Sequence, residues 1–189
     1  MKGQGMNARI RSHGRAAAEV LRWLHGKPVR DIALDKPIDY AAEPRPRNAD
    51  EIDHCIPMAL APSIAMMIES GGKPEHHVTR SEPGVAHALR LAGRVSADDP
   101  VSVLEQHYDD LLGTLRSPRI WHAVDRVAAR VMRAPGGELD RHGVGGAIRG
   151  ALNGTERGKY PDFGMPQQRR IYVERGEPRH SAGRSPSRS

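Results

Sequence analysis

Glu51-Ile52-Asp53-His54-Cys55-Ile56-Pro57 is where this chain concentrates side chains that could do chemistry. A carboxylate next to an imidazole can divide the labour of hydrolysis. The His takes a proton from water while the Asp holds a divalent metal. Asp53 and His54 are therefore the candidate catalytic pair, and Asp53, His76 and His77 the candidate metal ligands. Against this, adjacent histidines on a strand point to opposite faces, and one loop pair rarely chelates a metal alone. Ser-His-Asp chemistry has no Gly-x-Ser-x-Gly elbow to rest on, and Cys55, the single cysteine, lies in an apolar run where a thiol is normally inert. Gly143-Val144-Gly145-Gly146 lacks the preceding strand and the Lys-Ser/Thr pair of a phosphate cradle, so a flexible connector is the plainer assignment.

The Asp-His pair followed by Pro57 resembles the first strand of HNH-type (ββα-metal) nucleases. The resemblance covers about seven residues. It implies His54 as general base, Asp53 as ligand, and cleavage that depends on a divalent metal. The family also needs a helix bearing an Asn and a second His or Asn. Residues 58–70 have neither, and the Cys pairs common in the family are absent. The plainer alternative is that Asp53 and His54 flank a strand entering an apolar helix.

A broader signal is the sorting of charge. Residues 1–30 carry a net charge of +6, residues 31–115 a net of −8, and residues 116–189 a net of +8. Two separate surfaces can attract polyanions while the middle repels them. The basic residues are 24 Arg against 5 Lys, and guanidinium forks suit phosphates bidentately; a genomic bias toward GC would also enrich Arg. Arg11, Arg15 and Arg22 recur at near-helical spacing. Arg119, Arg126, Arg130 and Arg133, spaced 7, 4 and 3 apart, share one side of a helix opposite Ile120, Val124, Val127 and Val131. Arg169 and Arg170 continue the basic character into the tail. These nine arginines are the candidate nucleic-acid contacts. An ordinary solvated face, or one that pairs with the acidic block, accounts for the same stripe. Trp23 and Trp121 adjoin arginines and could stack on bases, but a Trp on a helix is more often half-buried core.

Placing these groups requires helices. The spacing predicts one over Met6–His25, after a Gly-rich lead-in, with Ala17, Val20, Leu21 and Leu24 inward and Gly26 and Pro28 as its stop. Residues 28–57 have no helical period and five prolines. They predict an acidic, irregular segment with short extended pieces at Val29–Leu34 and Glu51–Ile56. Met58–Ser70 predicts a buried helix, and residues 73–80 a polar loop. A helix then opens at Ser81-Glu82-Pro83, with Val85, Ala88, Leu89 and Ala92 inward and Gly93 past its end. Asp99-Pro100 and Ser117-Pro118 open two more, expected to pack as an antiparallel pair. Gly143–Leu152 predicts a weak helix closed by Asn153-Gly154, and Arg169–Glu174 a short strand.

The expected fold is a small, mainly α domain over residues 6–153, with room for one short β-hairpin. A basic extension over 154–189 follows, disordered from about residue 176. No apolar run approaches the roughly 20 residues that span a bilayer. No signal peptide is visible, and a lone cysteine fits the cytoplasm. The expected function is nucleic-acid binding through the phosphate backbone, in an accessory or regulatory role and without a cofactor. The alternatives are the divalent-metal nuclease and a protein–protein module, with a protein partner or homo-oligomer.

Overall fold

The computed structural model describes residues 2–40, 46–72 and 82–152, with side chains from residue 7 onward. The described residues form six helices: α1 (Lys2–Leu24), α2 (Ala49–Glu69), α3 (Pro83–Val95), α4 (Pro100–Arg116), α5 (Pro118–Arg133) and α6 (Arg141–Leu152). The fold is mainly α, as the periodicity predicts. None of these helices is long and apolar enough to cross a membrane. The readings made for residues 73–80, Ser81, Asn153-Gly154, 169–174 and the tail, expected as a loop, an N-cap, a helix stop, a strand and a disordered segment, all fall outside the described residues.

Each predicted apolar face of α1 and α5 is buried. Ala17, Val20, Leu21 and Leu24 of α1 are fully enclosed, as are Ile120, Val124, Val127 and Val131 of α5. α1 begins at Lys2 and not at Met6, so the Gly-rich lead-in is helical. α4 opens as expected: Asp99 Oδ1 accepts the Ser102 N–H at 3.0 Å, which caps the helix ahead of Pro100. α3 differs at both ends. Its N-cap is Glu82, whose side chain makes no capping bond, and the helix runs through Gly93 to Val95. Leu91, and not Leu89, completes its buried set.

The largest departure is α2. Residues 49–57 were expected to be irregular, and Glu51–Ile56 extended, but all belong to one helix that carries Pro57 and Pro62 inside it. Each internal proline removes a backbone bond and costs about 3 kcal/mol. The helix survives because α2 is the centre of the molecule, packed by α1, α3 and α4. Ile52, Ile56, Leu60 and Ile64 are each at least 96% buried, and burial of each contributes roughly 1.5–3 kcal/mol. The start is also well specified. Asn48 Oδ1 accepts the Glu51 N–H at 2.8 Å, and Glu51 Oε2 accepts the Arg47 N–H at 2.6 Å, a reciprocal cap of the capping-box kind.

A two-residue ladder replaces the expected hairpin. Strand β1 (Ile32–Ala33) pairs antiparallel with β2 (Glu138–Leu139), Ile32 opposite Leu139. The partners are more than a hundred residues apart, so the ladder ties the segment after α1 to the turn between α5 and α6. That turn, Pro135–Gly137, has Gly136 and Gly137 at positive φ, which side chains disfavour. α4 and α5 are consecutive, but α5 packs mainly on α1 and α6. The expected antiparallel pairing of α4 with α5 is thus a minor contact.

Candidate functional site

α5 and α6 pack on each other and present a run of arginines. Together these helices carry Arg119, Arg126, Arg130, Arg133, Arg141 and Arg149, all exposed. Their only acid is Asp125, which lies 2.8 Å from His13 Nε2 on α1. Two guanidinia are held in place. Arg126 Nη1 donates to the Gly150 carbonyl at 3.0 Å, and Arg130 Nη1 donates to the Gly143 carbonyl at 3.3 Å. A Cβ at position 150 would stand 3.4 Å from Arg126 Nη2, so glycines on α6 leave room for the forks to lie down. Each fork commits one of its five N–H donors, and the rest can meet an anion. Gly143–Leu152 is helical as predicted, within an α6 that starts at Arg141, and the Gly143-Val144-Gly145-Gly146 stretch expected as a flexible connector is part of this helix, which seats arginines.

The α1 arginines are dispersed. Arg11 is exposed and Arg15 half-buried; burial lowers the Arg15 pKa, with Arg11 adding to the effect and Tyr40, Asp35 and Glu19 opposing it. Arg22 is buried, against the expectation of an outward side chain. Its Nε donates to the Pro28 carbonyl at 3.0 Å and lies 3.7 Å from Glu19 Oε2. This guanidinium closes the turn after α1 and faces inward. Arg22→Ala should lower stability by roughly 1–3 kcal/mol in urea unfolding, because buried Glu19 loses a counter-charge, and should leave polyanion affinity unchanged. Arg169 and Arg170 lie outside the described residues.

The Asp53-His54 pair is split by the helix that carries it. Neighbours on a helix diverge by about 100°, whereas the resemblance needs them at one turn of a strand. Asp53 Oδ1 lies 3.0 Å from Nε2 of His107, a buried residue of α4. The His54 ring meets the edge of His25 in the turn after α1, centroids 4.7 Å apart. The two side chains thus serve different contacts, one with α4 and one with the turn after α1. His76 and His77 are outside the described residues. Cys55 is half-buried, with Lys27 Nζ at 3.8 Å from its sulfur. Trp23 belongs to the core, its ring beneath Arg149 at 5.8 Å, and Trp121 packs against the core's edge.

A cavity of about 570 Å³ opens between α1, α2, α3 and the residues Arg30, Ile38, Tyr40 and Pro46. Ile38, Met58, Pro62 and Leu91 give it apolar walls. Its charged lining is Arg22, Arg30, Arg90 and Arg94 against the single acid Glu19. Tyr40 and His87 stack at 5.4 Å beside it. Sequence reasoning missed this cavity because its lining comes from four separate segments.

No protein-family model, curated protein or solved structure matches this chain.

Proposed function

We propose that this protein binds nucleic acid through the phosphate backbone, with the exposed face of α5 and α6 as its docking surface. The observation that carries the reading is the charge of that face: six arginines on two adjacent helices, whose one acid is engaged by His13. Fixed guanidinia lose little side-chain freedom when an anion arrives, which favours phosphate over a looser Lys-rich surface. Phosphate contacts supply affinity and register without reading sequence. The role that fits is accessory or regulatory, in the cytoplasm, where a lone thiol stays reduced.

The test is fluorescence anisotropy of the full chain with labelled duplex DNA, single-stranded DNA and RNA over a salt series. About six contacts predict that affinity falls on the order of 10³-fold between 50 and 200 mM salt. Absence of binding at low salt would overturn the reading and turn the face toward an acidic protein partner.

A second reading rests on the cavity. Apolar walls with an arginine-rich lining suit a small amphiphile with an anionic head. The anionic dye 1-anilinonaphthalene-8-sulfonate should bind the folded chain at one site and should bind more weakly to Arg90→Ala and Arg94→Ala. Equal fluorescence in both variants and the parent removes the cavity from consideration.

A further inference from the structure

We propose that His13, Glu69 and Asp125 form a binding site for a divalent first-row transition metal, at the junction of α1, α2 and α5. The donor atoms of the three side chains all lie within 4.8 Å of one another. His13 is 4% exposed, and Trp121 stacks on its ring at 5.6 Å and 23°.

The hydrogen bonding around His13 determines what must stand among these groups. Its Nδ1 lies 2.9 Å from the backbone carbonyl of Arg9. A carbonyl only accepts, so Nδ1 carries the proton. In the neutral ring Nε2 then presents a lone pair to Asp125 Oδ1 at 2.8 Å and to Glu69 Oε2 at 3.4 Å. Three acceptors cannot face one another this closely without a cation among them. The cation is either a proton on Nε2 or a metal ion. One imidazole and two carboxylates are a donor set suited to zinc and its neighbours. A Nδ1–H bonded to a carbonyl is also the usual way in which a metal-bound His is oriented. Arg9 Nε holds the other Glu69 oxygen at 2.5 Å, which turns Oε2 toward the site. The Asp125 side chain is 47% exposed, so an ion has a way in and an open coordination position. With three protein ligands from three helices, the metal would clamp α1, α2 and α5 together.

The test is titration of the full chain with ZnCl₂ by calorimetry and with CoCl₂ by visible absorption. The chain holds ten histidines, so a His76→Ala/His77→Ala variant serves as background. The expected result is one Co²⁺ per chain with a d–d band, in the parent and the background alike. Asp125→Asn and Glu69→Gln should each weaken binding by roughly 10–100-fold. His13→Ala should abolish it, but this residue is buried and the variant could unfold. Asp125→Asn is the safer probe, because its amide oxygen still accepts from a protonated Nε2 and the fold is retained. At a fixed Zn²⁺ concentration the melting temperature of the parent should also rise more than that of Asp125→Asn, since an ion that binds only the folded chain stabilises it in proportion to the logarithm of its affinity. Failure of the parent to bind either metal at micromolar concentration, or binding that Asp125→Asn and Glu69→Gln leave unchanged, would overturn the site; a proton would then be the bridging cation. The outcome is independent of nucleic-acid binding, which anisotropy measures with no metal added.

Discussion

Replacing Arg119, Arg126 and Arg130 together with alanine is expected to weaken binding to every nucleic acid alike, on the order of 10²-fold at low salt. The slope of log affinity against log salt should flatten by about three, because each lost phosphate contact releases one counterion fewer. Loss of affinity without a change in slope would mean that the face does not contact phosphates. An unchanged affinity would remove it altogether. The variant should remain folded. All three side chains are exposed, and the two carbonyl bonds from Arg126 and Arg130 to α6 contribute about 1 kcal/mol each. Circular dichroism and a thermal melt check this on the same samples. Discrimination between bases should not change, since guanidinia that touch only phosphates carry no sequence information.

The second expected result concerns the seam between α2 and α3. A Cβ built on Gly84 would lie 2.4 Å from the backbone oxygen of Ala59 and 2.7 Å from the Tyr40 hydroxyl. The first of these neighbours is helix backbone and cannot rotate away. Gly84→Val should therefore push α3 off α2 and destabilise the chain by at least about 3 kcal/mol, at the upper end of overpacking effects. Gly84→Ala should produce a smaller loss in the same direction. Urea unfolding monitored by circular dichroism measures both. A stability within about 0.5 kcal/mol of the parent for the valine variant would mean that the seam is looser than this geometry. Because Tyr40 and α3 both line the cavity, the same substitution should also diminish dye binding there.

Local sequence determined several elements of this protein. The faces of α1 and α5, the Asp99-Pro100 start of α4 and the Pro135-Gly136-Gly137 turn are legible because each follows from bonds and periods within a few residues. The arginine stripe on α5 is legible for the same reason: residues opposite an apolar face must point outward. The start of α2 is the exception, since the sequence reading makes residues 49–57 irregular and the structure makes them helical. Asn48 and Glu51 stand at capping-box spacing, but Pro57 and Pro62 suggest a break, and only the depth of burial at Ile52 and Ile56 decides that the helix continues. Tertiary structure decided the rest. Whether Arg22 points in or out depends on a turn it closes with Pro28. Whether Asp53 and His54 act together depends on a helix that sends one toward α4 and the other toward the turn after α1. His13, Glu69 and Asp125 carry no common motif, and they meet only because α1 packs on both α2 and α5. Periodicity specifies which face of a helix is buried. It does not specify which other helix covers that face, and sites built from three helices are set by that second choice.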